Sequence, residues 1–185
     1  MPQASNVLSH IEVVYRPGER DLAIALFEAM GCKTYETDTK NPAGVSYISA
    51  HPDPDVRGQD DVFYISEMPP VQAALEGLLR QRIETDDELR AARDNYRAMA
   101  DTQPFGLSHV ALRYPTFESL EAVLAGLEAK LTPELKSRVI LKVFRPGDSD
   151  DIKWGETIQA FIYTDIAVAG GSMFGQVYEL ASYRY

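Results

Sequence analysis

Two of the three histidines in this chain occupy the same short motif. Leu8-Ser9-His10-Ile11-Glu12-Val13-Val14-Tyr15 returns 99 residues later as Leu107-Ser108-His109-Val110-Ala111-Leu112-Arg113-Tyr114, with four of the eight positions identical. A lone histidine on a strand is ordinarily a packed core residue. Two at equivalent repeat positions point instead to a shared site. Glu179, in Val177-Tyr178-Glu179-Leu180-Ala181, is a carboxylate in mid-strand, expensive to bury unless it is paired, hydrogen-bonded or bound to a cation. Two imidazoles and one carboxylate that leave positions open for water or substrate form a facial set suited to a divalent first-row metal. His10, His109 and Glu179 are the candidate ligands.

The elements that must position them are legible from periodicity. Each histidine strand is followed by a helical pattern, at 21–30 with Gly31 as its stop, and at 119–127. Further strands follow at 44–49 and 62–66, with a weaker one at 33–36. In the second copy they fall at 138–144, 157–168 and 176–182, bounded by Pro146-Gly147-Asp148 and Gly170-Gly171. The expected fold is α+β, with two βαβββ modules forming a cupped mixed sheet. Residues 1–68 make the first module, 69–104 a helical connector and 105–185 the second module, together one compact domain. The connector opens at Pro69-Pro70, closes at Pro104 and reads as one or two helices. It is expected to pack on the outside of the sheet, with a dimer-forming element or a lid as the alternatives.

Period two then assigns faces. Ile11, Val13 and Tyr15 lie under the first helix, and Val110, Leu112 and Tyr114 under the second. His10, Glu12 and Val14 share the opposite face with His109, Ala111 and Arg113. Aligning 62–66 with 177–181 puts Tyr64 in the slot that Glu179 fills in the second copy. Tyr64 reads as a hydrogen-bond donor lining the cup, and Glu12 as either a base or the ion-pair partner of Arg113. The same parity points Arg138, Lys142, Phe144, Phe161 and Tyr163 towards the cup, an aromatic and basic lining for a small anionic or aromatic substrate. A strand rim in water is the alternative for Arg138 and Lys142. His51 reads as a solvated turn residue, and Cys32, after Gly31, as a buried inert thiol.

Composition narrows the partners. The chain has 185 residues, 45% hydrophobic and 25% charged, which is ordinary for a globular domain. Its 28 acidic and 18 basic residues give a net charge of −10, unfavourable for nucleic acid. No apolar run approaches the length of a membrane span. One cysteine permits no internal disulfide, and the first ten residues lack a basic and apolar leader pattern, so a cytoplasmic location is expected. The expected partners are a small-molecule substrate and a second copy in a homodimer. A serine elbow and a phosphate-binding loop are both absent from the sequence.

LSHIEVVY and LSHVALRY, together with the late GQVYELAS, resemble the vicinal oxygen chelate superfamily, which includes glyoxalase I, extradiol dioxygenases, and fosfomycin- and bleomycin-resistance proteins. The resemblance covers roughly residues 8–68 and 105–183. It implies paired βαβββ modules cupped around a divalent metal, with His10, His109 and Glu179 at ligand positions. Gly175-Gln176-Val177-Tyr178-Glu179-Leu180 is similar to the family's DG-x-x-x-E-L ending, with Phe174 in place of the Asp. Tyr64 falls where glyoxalase I has a second glutamate, so a four-ligand site requires Glu67 or Glu12 to compensate. A His-His-Glu set without that glutamate is similar to extradiol dioxygenases, which implies Fe(II) or Mn(II), with zinc or nickel as the glyoxalase-like alternatives. Their additional catalytic histidine has no counterpart here except His51; Tyr163 or Tyr64 would then donate protons. The shared chemistry is bidentate capture of a substrate with two adjacent oxygens. The bleomycin-resistance branch implies a second reading, a metal-free protein that sequesters a small molecule.

Overall fold

The computed structural model describes residues 8–41, 44–53, 55, 61–148 and 156–183. Residues 1–7, which carry most of the leader argument, lie outside them. The first module runs β1 (His10–Tyr15), α1 (Arg20–Ala29), β2 (Lys33–Lys40), β3 (Ser46–His51) and β4 (Val62–Glu67). The insert contains α2 (Pro70–Thr85), α3 (Asp87–Thr102) and a 3-10 turn at Pro104–Gly106. The second module runs β5 (His109–Arg113), α4 (Phe117–Lys130), α5 (Pro133–Arg138), β6 (Val139–Phe144), β7 (Thr157–Thr164), β8 (Ala167–Val168) and β9 (Gln176–Tyr183).

Local chemistry sets the boundaries. Gly31 takes φ +86° just beyond α1, a left-handed conformation that favours glycine at a helix end. Pro70 opens α2, where a missing N–H costs nothing. Asp86, in extended conformation, divides the insert by accepting hydrogen bonds from the backbone N–H groups of Glu88 and Leu89.

The α+β expectation of two βαβββ modules holds, and the strands divide into two sheets. One has the order β2-β3-β4-β1-β8, the other β5-β9-β7-β6. In each module the first strand pairs in parallel with the last: Glu12 lies opposite Tyr64, and Ala111 opposite Glu179. β8 crosses from the second module to pair antiparallel with β1, setting Val14 against Val168 and Tyr15 against Ala167.

Residues from both modules share the main hydrophobic cluster. It takes in Val13, Tyr15, Leu26, Phe27 and Phe63 of the first, and Leu112, Leu120, Leu124, Tyr178 and Leu180 of the second. Phe27 packs against Phe63 and Tyr178, with ring centres 5.1 and 5.6 Å away. Cys32 is buried beside this core, and desolvation pushes its thiol up to about 12.

Several boundaries differ from the sequence expectations. The 138–144 strand begins at Val139, because Arg138 closes α5, a helix the periodicity did not reveal. The 157–168 strand breaks after Thr164, where Asp165 turns out to pair with Arg16 and Arg138. His51 is the last residue of β3, 7% exposed and edge-on to Tyr35, rather than a solvated turn residue.

The insert also departs from its expected place. Met99 and Ala100 of α3 pack with Leu107, Phe161, Tyr163 and Val177 in a second apolar cluster. Phe161 and Tyr163 lie opposite Glu179 and Val177, so the insert covers part of the cup face and not the outside of the sheet. Those aromatic side chains are too large and apolar to leave in water, and α3 supplies their cover. No helix among the described residues is long and apolar enough to cross a membrane.

Candidate functional site

The parity reading places the histidines correctly. Val13 and Tyr15 are fully buried in the core, while His10 and Glu12 are exposed on the other side of β1. Leu112 is buried and His109 lies on the opposite face. Tyr178 and Leu180 point into the core, which sends Glu179 to the face of His109.

His109 and Glu179 meet. Nε2 of His109 is 3.1 Å from Oε2 of Glu179, which is only 5% exposed. Gln159 holds the other carboxylate oxygen by donating from Nε2 to Oε1 at 2.7 Å. On the far side of the imidazole, Nδ1 lies 2.8 Å from the backbone oxygen of Leu107. That carbonyl can only accept, so Nδ1 carries the proton. With Nδ1 so engaged, Nε2 faces a carboxylate oxygen. Two acceptors in that position repel unless a proton or a metal cation lies between them. A backbone carbonyl behind the second nitrogen is also the usual support of a metal-binding imidazole.

His10 is not joined to that pair. Its ring lies edge-on to Tyr64 with centres 5.3 Å apart, and Ser9 Oγ is 3.4 Å from its Nδ1. Register explains the arrangement: Tyr64 stands diagonal to His10 in β4 as Glu179 stands diagonal to His109 in β9. Among the described residues no three of His, Cys, Asp and Glu gather closely enough to hold a metal ion. Of the three residues expected as ligands from sequence, the fold brings His109 and Glu179 together and leaves His10 apart. The phenol of Tyr64 replaces the carboxylate that would have made the first-module half alike.

The remaining candidates separate. Glu12 accepts from Ser66 Oγ at 3.3 Å, in place of the expected ion pair with Arg113. Arg113 lies over the ring of Tyr183, 5.9 Å from its centre. Glu67 shares its register with core-facing Tyr15, so it cannot stand in for a second cup carboxylate. Phe161 is edge-on to His109 at 5.8 Å and packs against Phe144 at 5.9 Å, forming an apolar floor. Lys142, opposite Phe161, is half-buried on the same face with no ion-pair partner among the described residues.

Arg138 does not reach the cup. Its guanidinium donates to both oxygens of Glu19, at 2.7 and 3.0 Å, and to Asp165 at 2.9 Å, because α5 ends one residue before the strand that was to carry it. Tyr163 is on the cup face but borders a separate cavity under the insert, shared with Arg138.

Sequence reasoning missed Gln159 and the Leu107 carbonyl. Gln159 was within reach, two residues before Phe161 on the same strand face; the carbonyl carries no side-chain signal.

Paired βαβββ modules with a histidine–carboxylate pair on the cup face describe the class of architecture. No family model matches the chain, and no curated protein matches it significantly. A selenomethionine crystal structure of methylmalonyl-CoA epimerase aligns with 98% of this chain and 100% of its own, at 18% identity and a TM-score of 0.23. At that score the alignment carries no weight for fold or chemistry.

Proposed function

We propose that the chain is a metal-dependent enzyme resembling the vicinal oxygen chelate superfamily, acting on a small substrate with two adjacent oxygens. The observation that carries this reading is the facing of His109 Nε2 and Glu179 Oε2 while Nδ1 is committed to the Leu107 carbonyl. The donor chemistry of His109 and Glu179 fits a divalent ion at those two positions; His10, at the equivalent place in the other module, stands apart and would complete the set only by approaching them. Such an ion supplies Lewis-acid polarisation of the substrate oxygens. Gln159 fixes the carboxylate, and the Leu107 carbonyl fixes the ring tautomer. Tyr64 would donate a hydrogen bond across the cup, Glu12 would accept a proton, and Lys142 and Arg113 would draw an anionic substrate over the Phe161 floor. Iron(II) or manganese(II) would direct the site to oxygen chemistry, zinc or nickel to isomerase or lyase chemistry.

The absence of a three-donor cluster among the described residues, together with the aromatic floor, favours a second reading, a metal-free protein that sequesters a small molecule. Elemental analysis of untagged protein and titration with manganese, nickel and zinc separate the two. The enzyme reading expects one divalent ion per chain. His109→Ala and Glu179→Gln should each weaken binding by about tenfold or more, with an unchanged melting temperature. Metal-free protein that takes up none of these ions, or that binds them equally in both variants, overturns it.

A further inference from the structure

A cavity of about 420 Å³ lies between the insert and the second module, away from the histidines. α2 contributes Arg80 and Glu84, α3 contributes Arg93, Asp94 and Arg97, and the opposite wall carries Arg138, Asp165, Tyr163 and Ser172. Its size is in the range of small-molecule sites. None of His10, Tyr64, His109 or Glu179 borders it.

The four arginines are not equivalent. Arg93 is held by Glu84 and Asp94, and Arg138 by Glu19 and Asp165. Arg80 pairs with Glu76 at 3.8 Å and donates to Ser172 Oγ at 2.6 Å, while Ser172 in turn donates to Glu76, so this guanidinium is braced with several of its N–H groups unused. Arg97 makes no ion pair or hydrogen bond among the described residues. Tyr163 is 7% exposed, and its hydroxyl has no partner among them either. Its ring lies so close to Gly175 that a Cβ there would fall 2.5 Å from it, so glycine is what lets this phenol stand where it does. Burial pushes the phenol up against the opposing influence of Arg97 and Arg93, which keeps it a neutral donor. The Tyr163 hydroxyl and the exposed Arg97 guanidinium border the same cavity, and together they present donors suited to an oxyanion. Ile83 and Met173 add an apolar side.

We infer that this cavity is a second ligand site, built by the insert, for a small organic oxyanion: a carboxylate or phosphate group on an apolar body, its oxygens meeting Arg97, Arg80 and the Tyr163 hydroxyl. The site is independent of the metal reading.

Calorimetric titration of the full chain with phenyl phosphate, benzoate and inorganic phosphate tests it. Phenyl phosphate or benzoate should bind one per chain, at millimolar Kd or tighter. Arg97→Ala should weaken that binding by about tenfold and Tyr163→Phe by severalfold, the worth of a charge-assisted and a neutral hydrogen bond. Both side chains lack internal partners, so both variants should melt like the parent. His109→Ala, or Glu179→Gln if the former melts early, should leave binding within about twofold. No binding of either organic anion, binding undiminished in both Arg97→Ala and Tyr163→Phe, or binding lost in the histidine or glutamate variant overturns the site. Inorganic phosphate binding as tightly as phenyl phosphate overturns the apolar part of the ligand.

Discussion

Tyr114, one residue beyond β5, donates its hydroxyl to the backbone carbonyl of Met30, which closes α1 in the other module, 84 residues earlier. The bond joins the two modules under their helices. Burial, with a smaller contribution from Cys32, pushes this phenol well above its ordinary value, and the fully buried Tyr178 likewise. The folded state therefore holds both protons more tightly than the unfolded chain. That stability is complete below the unfolded phenol value of ~10 and is lost as pH rises beyond it. Tyr114→Phe should cost about 1 kcal/mol at neutral pH and flatten the fall in melting temperature above that point. An equally steep alkaline limb in the variant contradicts this.

Glu76 should show the opposite sign. It is the buried residue of α2, where burial alone would raise its carboxyl. Hydrogen bonds from Ser172 and Gln72, with the charge of Arg80, outweigh that and hold it below the ordinary range. Its contribution is present above the unfolded value of ~4.3 and is lost as pH falls through the folded one. Hydrogen exchange in α2 should accelerate on acidification before exchange in the β9 core, and Glu76→Gln should remove that difference.

Gly31→Ala should be destabilising by about 1–2 kcal/mol. Its φ of +86° is unfavourable for alanine, and a Cβ would lie 3.1 Å from the Val123 side chain of α4. Denaturant unfolding measures this; an unchanged midpoint would mean that α1 and α4 pack less closely than described.

Cys32 should resist thiol reagents at pH 8 in the native protein and react once per chain after unfolding, since it is 6% exposed and its thiol is pushed up to about 12. Prompt native labelling would contradict its burial.

Val71 and Leu78 are 80% and 68% exposed on α2. Val71→Ser with Leu78→Gln should leave stability within ~0.5 kcal/mol. A larger loss that grows with protein concentration would reveal that another copy of the chain covers this stripe.

The parts of the site that depend on alternation were legible: period two put His10, His109 and Glu179 on faces away from the core and matched Tyr64 to Glu179. It could not say how two sheets meet, so it could not tell that His10 would stand apart from the pair. Nor could it place α2, because that helix buries Glu76 while Val71, Leu75 and Leu78 face out, the reverse of the usual amphipathic rule. Arg138 was misplaced by a single residue. A short helix ends where a strand was expected to begin, and ion pairs with Glu19 and Asp165 claim the side chain.

β8 is two residues long, yet it makes the duplicated halves unequal. The second module lends Ala167 and Val168 to the flank of β1, while Phe27 and Phe63 give Tyr178 its aromatic neighbours. A chain severed within the insert would leave its N-terminal fragment with an unpaired sheet edge and its C-terminal fragment with an uncovered ring. What began as a repeated unit has become mutual dependence, and neither half should be recoverable by cutting the molecule at its seam.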